Sequence, residues 1–195
     1  MNVPRVPLLS IEEAKEAAAE VGIVEVKAGL SMYRVLLRQP QLAKRLNDIM
    51  ETLSTQSEFD ARLRELIIMR IGWSNGGVYE WSLHWLLARQ FGVDERDLLA
   101  VRDWEAYDHW SAADRAILRA TDETLAGGAV SQQTWDECAK HFPTDQERLE
   151  LVAIIGSWKM ISELLKSLEV PLENGIAAWP PDGVPPAARQ AGVES

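Results

Sequence analysis

Four residues carry chemistry by type and spacing: Glu65, Tyr79, Glu80 and His84. Glu65 lies inside the apolar run Leu63 to Ile71, where a carboxylate must find a partner or be neutralised. Glu80 and His84 stand four residues apart, so on a helix they share one face. Tyr79 adds a phenol beside them. A helix–break–helix arrangement through Ser74-Asn75-Gly76-Gly77 would bring Glu65 over that face. Two carboxylates, an imidazole and a phenol near one apolar pocket make a general acid/base set. The same spacing also fits a solvated Glu80–His84 pair, with Glu65 bridged to Arg62 or Arg64 and no chemistry at all.

The elements that must position these residues read as nearly all helix, with no alternating strand pattern. Ser10-Ile11-Glu12-Glu13 fits a capping box and opens the first helix. A short helix is expected over about 29–37, and Pro40 opens the next. Asp60 caps a helix over about 61–73 that is apolar on nearly every side, the pattern of a buried helix. The Glu80–His84 helix runs over about 78–91 to Gly92, a left-handed stop. Asp94, Ser111, Ser131 and Thr144 each begin another helix, the last reaching about Leu168. Pro180, Pro181, Pro185 and Pro186 exclude regular helix from the tail. The expected division is one helical domain over 1–172 and a Pro-rich tail over 173–195. Its last ten residues are expected to be mobile, and Trp179 is placed to pin its first half to a surface, such as that of a neighbouring subunit.

The chain has 195 residues, 47% of them apolar and 26% charged, an ordinary globular composition. Its net charge of −10 argues against nucleic acid or an anionic membrane as partner. A single cysteine, Cys138, excludes a disulfide framework, a four-cysteine zinc site and a CxxC centre within one chain. A buried structural thiol is the expected role for Cys138. Three histidines leave little for a histidine-rich metal site. No apolar run reaches membrane-spanning length and the first residues lack an apolar signal core, so the expected location is cytoplasmic.

The order Arg64-Glu65-Leu66, then Tyr79-Glu80-Trp81-x-x-His84, then Phe91-Gly92-Val93, resembles the carboxymuconolactone decarboxylase family, which includes alkylhydroperoxidase D-like proteins. Glu150 to Met160, followed by Val170-Pro171, extends the resemblance, which spans about residues 30–172. It implies an all-α helical bundle and a homo-oligomer: a dimer, a trimer or a hexamer. In the peroxidase branch a glutamate lies twelve residues before Cys-x-x-Cys-x-x-x-His. Glu65 and His84 hold the first and last of those positions, while Gly77 and Glu80 stand where the cysteines would be. Disulfide-based peroxide reduction needs an attacking thiolate and a resolving thiol, so that branch is disfavoured.

The namesake reaction decarboxylates a carboxylated γ-lactone. Electrons left by the departing CO2 pass to the lactone carbonyl, and a proton is then delivered to carbon. The lactone is its own electron sink, so no cofactor and no metal are expected. The resemblance makes His84 the proton or oxyanion donor, oriented by Glu65, with Tyr79 a second donor and Glu80 a candidate carbon acid. The substrate is then a small carboxylate or lactone. Arg70, Arg62 and Arg34 are candidates to hold its charge, and Trp81 and Trp73 to line the pocket, although each also fits a structural role. Trp104 to Trp110 form an aromatic segment suited to a lid or a subunit contact. An isomerase, a lactone-opening enzyme, or a non-catalytic binding protein on the same scaffold remains an alternative. A weaker one is a thiol antioxidant using Cys138 between subunits.

Overall fold

The computed structural model describes residues 4–187. Ten α-helices and one 3-10 segment account for its regular structure. They are α1 (Ile11–Val21), α2 (Glu25–Ala28), α3 (Ser31–Leu36), α4 (Pro40–Thr55), α5 (Ala61–Asn75), α6 (Val78–Gln90), α7 (Glu95–Ala100), α8 (Ala112–Gly127), α9 (Gln132–His141) and α10 (Asp145–Ser167). The 3-10 segment is Val101–Ala106.

Local chemistry sets most boundaries. Ser10, Ser111 and Thr144 form reciprocal capping boxes with Glu13, Asp114 and Glu147. Asp60 accepts from Leu63 N–H to start α5, and Gly76 ends it in the left-handed conformation. Two boundaries depart from the sequence expectation. The helix expected over 29–37 is α3, which starts only at Ser31 because Leu30 is extended, and the short helix α2 before it was not expected. The 3-10 segment after α7 was not foreseen; Asp103 has non-helical backbone angles inside it.

Helix α5 is the centre. Leu66, Ile67, Ile68, Met69 and Ile71 have no exposed surface, and α6, α8 and α10 pack around them. A second apolar cluster joins α1, α3 and α4 to Ile161 and Leu165 of α10. Trp104 and Trp110 belong to the first cluster, their indoles donating to Asp122 and to the Trp104 carbonyl. These two tryptophans are core residues, while Tyr107 and His109 between them are half-buried and exposed. Residues 171–187 run back across the same chain. Trp179 N–H donates to Ser82 Oγ, and Trp81 Nε1–H donates to the Pro180 carbonyl. Trp179 is therefore pinned on its own subunit. Residues 188–195, which hold most of the segment expected to be mobile, lie outside the described residues. No helix among the described residues is long and apolar enough to cross a membrane.

The α5–α6 contact is close enough to constrain sequence. A Cβ on Gly72 would lie 3.0 Å from Trp81 N and 3.4 Å from Trp81 Cα. Gly72→Ala is expected to push α6 outward and cost about 1–3 kcal/mol, the range for overpacking. Urea unfolding of the two proteins measures this.

Candidate active site

The helix–break–helix turn does bring Glu65 over the Glu80–His84 face. His84 Nδ1–H donates to Glu65 Oε2 at 2.7 Å. Glu80 Oε2 lies 3.4 Å from His84 Nε2. Glu65 and Glu80 are 2% and 3% exposed, which rules out a solvated surface pair. Arg64, equally buried, sits behind Glu65 with Nε 3.5 Å from Oε1, a charge contact without hydrogen-bond geometry. Its Nη1 donates to the Ser54 carbonyl.

Trp158, on α10, completes the cluster. Its indole Nε1–H donates to His84 Nε2 at 3.4 Å. An indole can only donate, so Nε2 carries a lone pair in this arrangement and Nδ1 carries the proton.

Burial opposes an imidazolium at His84, but the Glu65 charge and hydrogen bond, with Glu80 behind them, outweigh it and raise the imidazole above its ordinary range. Burial also pushes the Glu80 carboxyl up, with His84 drawing it partly back and Glu65 adding to the rise. Arg64 balances Glu65. Glu80 and His84 lie 3.4 Å apart, close enough for their titrations to be coupled.

This cluster opens on a cavity of about 390 Å³ between the two apolar clusters. Leu30, Met32, Met50, Leu83 and Ile161 make it mainly apolar, while Lys27, Glu51, Tyr33, Glu80 and His84, with Ser54 and Thr55, are among its polar residues. A larger cavity, about 740 Å³, lies beyond Tyr79 and Glu80, between the start of α6 and the segment after α10. Tyr79 and Glu80 line both.

Tyr79 is near the site but its hydroxyl is engaged. It donates to Glu173 Oε1 at 2.6 Å and accepts from Met32 N–H. Burial, and then Glu173, push the phenol far above its usual range. The arginines expected to hold substrate charge lie elsewhere. Arg62 bridges Asp97 and Asp114, Arg70 bridges Asp122, and Arg34 donates to the Leu9 carbonyl. None of the three lines the cavity. Trp73 and Trp81 pack with tilted rings 5.0 Å apart, with Arg102 over both, and do not line it either.

Sequence reasoning missed Lys27, Tyr33, Glu51 and Trp158, because their helices reach the cavity only through tertiary packing. Among the described residues no group of three or more His, Cys, Asp and Glu is arranged to hold a metal ion.

Comparison with known proteins agrees with this architecture. The model of the carboxymuconolactone decarboxylase family matches residues 40–123. The uncharacterized protein YdfG of Bacillus subtilis is 27% identical over 118 residues, covering 58% of this chain and 80% of YdfG. An uncharacterized peroxidase-related protein of Ralstonia eutropha, with an alkylhydroperoxidase AhpD core, superposes with a TM-score of 0.72 at 14% identity, over 89% of this chain and 94% of its own. The debrominase Bmp8, as a cysteine-to-alanine variant holding tribromopyrrole, does so with a TM-score of 0.68 at 16% identity, over 89% and 92%. The chain therefore has the all-α AhpD-like helical bundle fold, with an active-site region poor in cysteine.

The charge pair makes a direct prediction. In Glu65→Gln the imidazole loses the anion that favours its protonated form, so His84 is expected to titrate at lower pH. NMR of the histidine ring through a pH series reads this. An unchanged midpoint would show that Glu65 does not charge the ring.

Proposed function

We propose that this protein is a cofactor-independent lyase that uses acid–base chemistry to remove CO2 from a small carboxylated lactone or a related acid. The supporting observation is a buried Glu80–His84 pair, held by Glu65, on the wall of a mainly apolar cavity. The volume suits a small molecule. The family match over residues 40–123 supports the same reading.

The chemistry balances without an added group. The C–C bond to the carboxylate breaks, and its electron pair moves through the conjugated system to the carbonyl oxygen. The proton on the Glu80–His84 pair then goes to carbon, CO2 leaves, and the pair regains a proton from solvent. A dry wall favours release of CO2 from a desolvated carboxylate and leaves the proton donor at short range. Isomerisation is the second reading. The same pair would remove a proton at one carbon and return it at another, and the mainly apolar lining favours it for an uncharged substrate.

Cys138 has no part in this scheme. It is fully buried beside the Ala116 carbonyl, and burial pushes its thiol up to about 11. A thiol, not a thiolate, is present at neutral pH. The proposed assembly is a homo-oligomer. Exposed Leu149, Val152 and Met160 share one face of α10 with Gly156, which leaves room for a second helix.

Incubation with γ-carboxymuconolactone, with CO2 release as readout, tests the reading. His84→Ala is expected to abolish release while far-UV circular dichroism stays unchanged. Full activity in that variant would sink the mechanism, and no release by the native protein would favour isomerisation. Cys138→Ala is expected to retain turnover, since the thiol lines neither large cavity; loss of turnover in a folded variant would revive the thiol chemistry.

A further inference from the structure

We infer that Lys27 is the anion anchor of the cavity, binding a carboxylate that the substrate keeps while its reacting carbon faces Glu80 and His84. The inference deepens the lyase reading and rests on it for the reacting end.

Lys27 is the one lysine or arginine among the described residues lining the 390 Å³ cavity. It is held there by a built network. Its Nζ donates to Asn47 Oδ1 at 2.7 Å and to Glu51 Oε2 at 3.2 Å. Tyr33 O–H donates to the same Asn47 oxygen at 2.8 Å, and Asn47 Nδ2–H donates to Glu51. Asn47 and Tyr33 are 3% and 4% exposed. Buried Asn47 and Tyr33 thus form the inner end of the network, while Lys27 and Glu51 are partly exposed at the cavity, and the effect is to fix one ammonium there.

The ammonium has three N–H groups, and Asn47 and Glu51 take two. The third remains for a ligand. A carboxylate there gains a charge-assisted hydrogen bond in mainly apolar surroundings. The carboxylate to be lost gains nothing from such a contact, because stabilising it in the ground state raises the barrier. The ligand class is therefore a small acid with an apolar body, a retained carboxylate at one end and a carbon acid or leaving carboxylate at the other.

Calorimetric titration of the full chain with hydrocinnamate and hydrocinnamyl alcohol, which differ mainly in charge, tests the anchor. The native protein is expected to bind the carboxylate about tenfold more tightly than the alcohol, the scale of one charged hydrogen bond. Lys27→Met should remove that preference and leave alcohol binding unchanged, whereas Lys27→Arg should keep it. Lys27→Gln stands in if the methionine variant does not fold. Leu83→Trp, which fills the cavity, should weaken both ligands. Equal binding of the two by the native protein, binding of neither, a preference that survives Lys27→Met, or indifference to Leu83→Trp would each overturn the inference.

The two ideas fail separately. His84→Ala should retain the carboxylate preference, because binding needs no turnover. A Lys27-dependent preference in a protein that decarboxylates nothing keeps the anchor and removes the lyase. Lactone decarboxylation with a KM unmoved by Lys27→Met does the reverse.

Discussion

The buried Glu65–His84 contact is the constraint on which the rest depends. A carboxylate inside a fully packed helix is tolerable only if its charge is met within the protein, since unpaired burial costs several kcal/mol. Arg64 meets it from behind and His84 from in front. For His84 to reach it, α6 must lie almost against α5, so position 72 has no room for a side chain. The chain must also reverse within the few residues after Asn75, which Gly76 allows by taking a positive φ. Buried ion pairs are weak evidence for stability, so this contact constrains the packing of α5 and α6 rather than accounting for it.

The cavity follows from how the two apolar clusters meet. The first, around α5, presents Glu80, His84 and Trp158. The second, around α1, α3 and α4, supplies Tyr33, with Lys27 and Glu51 beside it. Neither could enclose a ligand alone. The segment after α10 ties them together through Glu173, whose Oε1 accepts from Tyr79 O–H and from the Ser31 backbone N–H at the start of α3. Tyr79 is thus committed to joining two walls. That explains why a phenol beside the acid–base pair is held away from it.

Most helices were legible because their signals are local. Ser10, Asp60, Ser111 and Thr144 act through bonds to residues three positions on, and a carboxylate amid Leu66, Ile67 and Ile68 announces its own anomaly. Glu80 and His84 were legible through helical spacing. The arginines were not, because nothing in Arg62 or Arg70 reveals that Asp97, Asp114 and Asp122 will claim them. Trp158 and Lys27 were invisible for the converse reason. Their partners lie 74 and 20 residues away, and no periodicity encodes a contact across α10 and α6 or α2 and α4.

At positions 77 and 80, where the resemblance to the peroxidase branch would place cysteines, the packing as well as the sequence leaves no sulfur. A Cβ at Gly77 would run into Ser162 Oγ and Asn75 Oδ1. Ser162 is 1% exposed and accepts from Asn75 Nδ2 at 2.9 Å, so a thiol there would force that pair apart. At position 80 the replacement is a buried carboxyl one helical turn from His84. A thiol at that place could hand electrons to a partner sulfur, but without a second sulfur it has no exchange to make. Burial holds the Glu80 carboxyl above its usual range, and Glu65 helps hold the neighbouring imidazole above its own. With Glu65 and His84 in contact, a carboxyl at position 80 and position 77 closed to a side chain, the cluster holds proton-bearing groups and no sulfur.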